Sequence, residues 1–352
     1  MARIISGIQQ VGIGVSNAAA AFNWYRKILG TDIVVFKDTA AAALMKQYTG
    51  NMVYEREAIL AMNLQSGGGI EIWQYTNRTP QPPAFDLQLG DTGIFAVKIK
   101  SKNVHKTYQQ YQQQKVNLLT MPAKNLLGKF HFFFKDPYQN IFEIVEDDYW
   151  FTDDKNKLTG GVAGALIGVS DMQKALGFYQ LVLGYNTVLI NENNVFEDWK
   201  GIAGDEYIFH RVILTNSQPA MGAFGKLLGP HYIELIQVKN RQPKKIFENR
   251  FWGDLGFIHV CYDIHDMDAH EKICDQYHCP LTVNSKNSFE MGEAAGQFAY
   301  NEDPDGTLIE YVETHKVPVI KKMGLYLNLK KRNSQKPLPD WIVKCLRFSR
   351  VK

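Results

Sequence analysis

The chain is poor in cysteine, in net charge and in long apolar runs, and each shortage removes a class of protein. Four cysteines in 352 residues (Cys261, Cys274, Cys279 and Cys345) include no C-x-x-C pair. A disulfide framework is therefore excluded, and Cys274 with Cys279 reads as helix-end packing rather than a metal knuckle. A formal net charge of +3 is too small to advertise a nucleic-acid surface. No apolar run reaches the roughly 18 residues of a membrane span, and the N-terminus lacks the tripartition of a signal peptide. These readings predict a reduced, cytoplasmic protein with a small-molecule partner, no nucleic acid and no membrane, as a monomer or homodimer. Basic residues concentrate only after Lys316, where a solvated, partly helical tail is expected.

What the chain does have is repetition. Four predicted strands carry a glutamate between apolar neighbours: Ile70-Glu71-Ile72, Phe142-Glu143-Ile144, Ile233-Glu234-Leu235 and Ile309-Glu310-Tyr311. A carboxylate in that setting costs several kcal/mol unless something compensates it. The run Val11–Asn17, a helical stretch 18–29 and Gly30 reappear as Ala165–Asp171, a stretch 172–183 and Gly184. Ser16 and Ser170 stand where helix N-caps belong, and Gly30 and Gly184 where left-handed C-terminal residues belong. Asp136-Pro137 and Asp303-Pro304 open matching turns. The chain thus divides into four βαβββ units beginning near Ile8, Thr92, Val162 and Gly256. The expected organisation is α+β: a first domain over 1–146, a linker over 147–161, a second domain over 162–315 and a basic tail over 316–352.

The run Asn301-Glu302-Asp303-Pro304-Asp305-Gly306-Thr307-Leu308-Ile309-Glu310, with Phe178-Tyr179 and Leu183-Gly184, resembles the vicinal oxygen chelate superfamily. That superfamily includes glyoxalase I, bleomycin-resistance proteins and extradiol dioxygenases. The resemblance implies tandem glyoxalase-like domains of curved mixed sheet, each cup holding a metal through first-strand and last-strand side chains. The last-strand positions are Glu71, Glu143, Glu234 and Glu310; the first-strand positions, counted from strand and helix landmarks, are Gln10, Ile94, Gly164 and His259. Pairing within each half would give Gly164, Glu234, His259 and Glu310 on one side, and Gln10, Glu71, Ile94 and Glu143 on the other. Pairing across halves would give Gln10, Glu71, His259 and Glu310, the Gln/Glu/His/Glu set of eukaryote-type glyoxalase I, and leave a second site without a nitrogen ligand. The crossed arrangement is preferred because it completes one site.

One imidazole among oxygen ligands suits Zn, Mn, Fe, Co or Ni. By resemblance the ion would act as Lewis acid, with Glu310 and Glu71 as catalytic carboxylates, in isomerase, epimerase or lyase chemistry. A dioxygenase would need a histidine at Gly164. Gly14 and Tyr75 replace the residues that hold glutathione in glyoxalase I, and Trp73, Tyr75, Phe133 and Tyr300 are expected to line the cup. The substrate expected is therefore aromatic or apolar and oxygenated. A non-catalytic binding protein of the same fold is the rival, and a pseudo-enzyme acting through its tail is a third reading.

Bland alternatives weigh on several positions. A lone strand histidine is usually a packed core group, and only its place ahead of Glu310 favours His259 as a ligand. Gln10 has Gln9 beside it, and a one-residue slip would exchange their faces. His231 falls on the face opposite Glu234. His131 reads as packing, and His105, His265, His270 and His278 read as surface groups.

Overall fold

The computed structural model describes residues 3–217, 221–286, 289–291, 294–320, 325–330 and 332–351. Each of the four units opens with a long strand, crosses by a helix and returns through shorter strands. The first unit is β1 (Ile4–Gly14), α1 (Ala18–Leu29), β2 (Ile33–Ala41), β3 (Glu55–Met62) and β4 (Gly69–Tyr75). The second is β5 (Gly93–Ser101), α2 (Val104–Gln113), the two-residue β6 (Asn117–Leu118) and β7 (Ala123–Lys124), then β8 (Phe130–Lys135) and β9 (Ile141–Glu146). The third is β10 (Thr159–Gly168), α3 (Met172–Gly177), β11 (Thr187–Asn194), β12 (Phe209–Thr215), a short α4 (Gly225–Leu228) and β13 (Tyr232–Val238). The fourth is β14 (Gly256–His265), α5 (Met267–Gln276), β15 (Val283–Asn284), β16 (Phe289–Met291), β17 (Ala294–Glu302) and β18 (Leu308–Ile320).

The units pair across the halves. One sheet has the order β15-β17-β18-β14-β1-β4-β3-β2, uniting the fourth unit with the first; the other runs β11-β12-β13-β10-β5-β9-β8-β6 and unites the third with the second. Within each unit the first strand is parallel to the last, β1 to β4 and β14 to β18. The units meet through antiparallel seams, β1 against β14 and β5 against β10. Alternation then sorts the side chains. Val11, Ile72, Val260 and Ile309 on one sheet, and Val97, Ile144, Ile167 and Leu235 on the other, share a core with α1, α2, α3 and α5. The glutamates lie on the opposite faces, in the two cups.

Local details differ from the sequence expectation in places. The N-caps are Asn17 and Asp171, one residue after the serines: their backbones are extended and their side chains accept from Ala20 N, and from Gln173 and Lys174 N. Gly30 and Gly184 do hold the left-handed turn, with φ of 71° and 76°. The third unit's helix leaves α geometry at Phe178 and ends as a π turn, Phe178–Val182. Strand β10 already begins at Thr159, and β18 runs on to Ile320.

The chain after 316 is not a solvated tail. β19 (Leu325–Asn328) pairs with β18, and α6 (Asp340–Lys344) follows. Leu329, Leu338 and Val343 join Ile33, Leu227 and Leu228 in an apolar cluster, and Val351 N donates to Asp32 O at 2.9 Å. Apolar residues at Leu338, Ile342 and Val343 make that docking favourable despite the surrounding lysines. The expected Lys321, Lys322 and Lys331 lie outside the described residues. No described helix is long and apolar enough to cross a membrane.

Candidate metal centre

Register brings the predicted residues of one cup together. Glu71 stands beside Gly12 on β1, and Glu310 beside Cys261 on β14. Two residues earlier on the same face stand Gln10 and His259. Gln10 Nε2 lies 3.2 Å from Glu71 Oε2 and 3.4 Å from Glu310 Oε2. His259 Nε2 lies 3.0 Å from Glu310 Oε2 and 3.3 Å from Glu71 Oε2. One ligand atom from each of Glu71, His259 and Glu310 falls within 4.8 Å of the others. The pairing of the strands thus joins Gln10, Glu71, His259 and Glu310, residues spread over 300 positions.

The donors are under-satisfied. His259 Nε2 makes no well-formed hydrogen bond despite its two carboxylate neighbours, and Gln10 Oε1 has no partner. Buried polar atoms left this way are uncommon in folded chains. Burial disfavours the imidazolium, yet Glu310 and Glu71 outweigh it and lift His259 to about 9. Burial likewise opposes a charged Glu310, but His259 and the hydroxyl of Tyr300 hold its carboxyl below the usual range. The pocket therefore favours positive charge at its centre, and a divalent ion could supply it in place of the imidazole proton. Three oxygen donors and one imidazole fit such an ion.

Gly12, which sequence reasoning missed, and Tyr300, which it placed in the cup wall, shape this cluster. A Cβ on Gly12 would stand 2.4 Å from His259 Cε1, so only glycine leaves room for the ring. Tyr300 Oη is 3.4 Å from His259 Nδ1 and restrains its orientation. The register between β1 and β14 shifts between Ile8 and Gln10. That irregularity keeps Gln9 inside as well: its Nε2 reaches Asp263 Oδ1 at 3.5 Å while Gln10 reaches the glutamates.

The cup above the cluster is aromatic. Trp252, from the connection between the third and fourth units, meets Trp73 edge-on at 4.2 Å and Tyr300 at 6.4 Å. Tyr75 belongs to its outer wall and donates its hydroxyl to Trp252 O. Beyond Trp252 lies a cavity of about 420 Å³, walled by Tyr48, Phe247, Phe251, Phe257 and Leu308. Leu308, whose Cα pairs in register with His259, stands in that wall. Phe133, expected in this cup, lies in the other one, packed with Phe196 and Trp199.

The second cup needs two corrections. The position equivalent to His259 is Ala96, not Ile94: Gln10, Ala96, Gly164 and His259 each pair with the residue two before a glutamate. Neither Ala96 nor Gly164 offers a ligand, so the conclusion drawn from Ile94 survives its renumbering. His131 is more than packing, because its Nδ1 is 2.7 Å from Glu143 Oε1. Lys98 bonds to Glu143 and lies 2.7 Å from Glu234 Oε2. Arg211 bonds to Glu234 and, through Nη1, to both oxygens of Asp198 at 2.8 Å. Elsewhere His231 does fall on the far face, against the Tyr185 hydroxyl at 2.7 Å. His270, expected at the surface, is fully buried, with Nδ1 2.9 Å from Arg3 Nη1. It occupies the inward stripe of α5 together with Met267 and Cys274.

Two sheets of paired βαβββ units, one of them holding a Gln/Glu/His/Glu cluster, define a vicinal oxygen chelate architecture. Residues 7–144 match the sequence model of the Glyoxalase/Bleomycin resistance protein/Dioxygenase superfamily, and the βαβββ unit of that segment repeats through the rest of the chain. Among solved structures, glyoxalase I from Zea mays is similar at 13% identity over 87% of this chain and 92% of that one, with a TM-score of 0.54. A putative dioxygenase from Bacillus subtilis subsp. subtilis str. 168 is similar at 12% identity over 88% and 85%, with a TM-score of 0.58. Such distant likenesses establish the fold. No curated protein sequence matches the chain.

Proposed function

We propose that the chain is a metal-dependent enzyme of isomerase, epimerase or lyase type acting on a small, aromatic or apolar, oxygenated substrate. The observation that carries the reading is the convergence of Gln10, Glu71, His259 and Glu310 with unsatisfied donor atoms. These four residues would hold a divalent ion such as Zn, Mn, Fe, Co or Ni. Bound there, the ion would supply Lewis-acid polarisation of substrate oxygens. The chain's own part is acid–base and steric. Glu310, kept ionised beside His259, is suited to take a proton from a carbon next to a carbonyl, with Glu71 as the second carboxylate. Trp73, Trp252 and Tyr300 exclude water and favour a planar apolar body. Gly14 and Tyr75 offer no cation for a glutathione carboxylate, which argues against a glutathione adduct. The single imidazole argues against a two-histidine dioxygenase centre.

Elemental analysis after reconstitution tests the reading. Wild type is expected to retain about one divalent ion per chain, and His259→Ala to lose it while keeping its circular dichroism spectrum. Wild-type protein that holds no stoichiometric ion would favour the rival, a binding protein whose aromatic cup sequesters its ligand without catalysis.

A further inference from the structure

Helix-end packing brings two cysteines together at the close of α5. The helix ends in a left-handed turn at His278, whose φ is 57° and whose N–H donates to Asp275 O at 3.2 Å. The next amide, Cys279 N–H, reaches back to Cys274 O at 2.9 Å. This double closure sets the side chains at its two ends against each other. Standard bond lengths on either side of the Cys279–Cys274 hydrogen bond keep the two Cα atoms within about 7 Å, the limit for a disulfide without backbone movement. The thiols meet: each is hydrogen-bonded to the other, and Cys279 Sγ lies 3.4 Å from Cys274 O. Their surroundings differ. Cys274 is fully buried, with His270 Nε2 at 3.4 Å and Asn301 Nδ2 at 3.6 Å from its sulfur, whereas Cys279 is half-exposed. Arg3 Nη1 donates to His270 Nδ1, which leaves the imidazole proton on Nε2, facing the Cys274 sulfur. The hydrogen bond between the thiols lowers Cys279 and raises Cys274, so the more accessible sulfur is the more readily ionised one.

We propose that Cys279 and Cys274 form a redox-active dithiol, an oxidation site at which a hydroperoxide is reduced as the two thiols close to a disulfide. Cys279 is the attacking sulfur. Its S–O bond forms as the peroxide O–O bond breaks, and the thiol proton leaves on the departing oxygen, as water or an alcohol. Cys274 then attacks the sulfenic sulfur: the S–S bond forms, the S–O bond breaks, and the second proton leaves with that oxygen as water. The His270 Nε2–H group and the Arg3 charge favour the thiolate through which Cys274 must pass. Exchange with a small thiol would return both cysteines to the reduced state. Cys274 and α5 belong to the core side of the sheet, opposite the cup, so the proposal is independent of the metal reading.

Native full-length protein would be treated with a small excess of hydrogen peroxide, then denatured, and its remaining thiols alkylated and mapped by mass spectrometry. The tryptic peptide 273–286 carries both cysteines. It is expected to lose both alkyl groups and to appear lighter by two hydrogens, while Cys261 and Cys345 stay alkylated. Dithiothreitol should restore both alkylation sites. Cys274→Ser should halt at the sulfenic acid, trapped on Cys279 by dimedone, and Cys279→Ser should leave Cys274 alkylated. A wild-type peptide that keeps both alkyl groups at peroxide levels that oxidise Cys345 overturns the proposal. Sulfinic or sulfonic Cys279 without the disulfide, or a disulfide joining two chains, overturns it as well. The wild-type map decides the matter even where a serine variant fails to fold.

Discussion

Gly12 decides whether His259 can face the glutamates at all. Its missing side chain is the space in which the imidazole lies, and its equivalent in the third unit is a leucine, Leu166, beside Glu234. Gly12→Ala should therefore leave the sheet intact, displace the ring and weaken ion binding about tenfold to a hundredfold, the range typical of a disturbed supporting shell. Competition titration with a chelating dye would measure it, and unchanged affinity would show that the ring has another resting place. Two other histidines carry a pH effect instead. Burial, aided by Lys100, pushes His231 down to about 4, and burial, aided by Arg3, pushes His270 down to about 3. Both are neutral in the folded chain, so the unfolded chain binds more protons below its ordinary value near 6.5. Their contribution is whole above that value and is lost as the pH falls toward 4 and 3. Stability should drop by about 2 kcal/mol per group between pH 7 and pH 5. Urea melts at the two pH values would show it, and His231→Gln should remove its share of the difference.

At the scale of elements, the segment after β18 is a structural brace. Leu338 and Val343 are nearly inaccessible in the cluster around Ile33, Leu227 and Leu228. Leu338→Ala should cost about 2–5 kcal/mol, as large-to-small changes in packed cores do, with ion binding unaltered. Denaturant unfolding and ion counting on one preparation would separate these outcomes. The sequence showed this segment's lysines more plainly than its packing, because apolar residues at Leu329, Leu338 and Val343 lack the regular spacing of a long amphipathic element. The helices were more legible. Gln10 precedes Ala18, Ala96 precedes Val104, Gly164 precedes Met172 and His259 precedes Met267, each by eight residues. Counting back from the helix start finds Ala96 where counting along the strand lands on Ile94. The π turn at Phe178 left no comparable mark, since its residues continue an ordinary helical pattern.

For the whole molecule, repetition made the four units readable, while their crossed partnership, which the sheet order bears out, was legible only by asking which pairing completes a ligand set. Alternation and turn signals are the same whether β1 adds to β14 or to β5; which seam forms depends on packing between distant segments, and no short window records that. The same limit hid Trp252 and Arg211, whose roles arise from a loop and a strand meeting a cup built elsewhere. The buried charges of the second cup predict a strong asymmetry between single and paired changes. Arg211→Met alone should cost about 3–5 kcal/mol, because it leaves Asp198 without its guanidinium and Glu234 with Lys98 as its one remaining cation. Joined with Glu234→Gln, it should cost measurably less than the sum of the two single changes. A double-mutant cycle by denaturant unfolding checks this.

Each sheet takes one unit from either half of the chain, and this fixes the order in which a ribosome can finish the molecule. When Gln10 and Glu71 emerge, their partner strand β14 is some two hundred residues from being made. The nascent first half must wait with two open sheet seams, β1 and β5, and the candidate centre closes only when β18 arrives with Glu310. The same interlock makes the peptide link between the halves dispensable once folding is complete. A cut in the surface stretch near Lys155, on which neither cup depends, should leave two fragments bound to each other across both seams, with the four ligands still assembled.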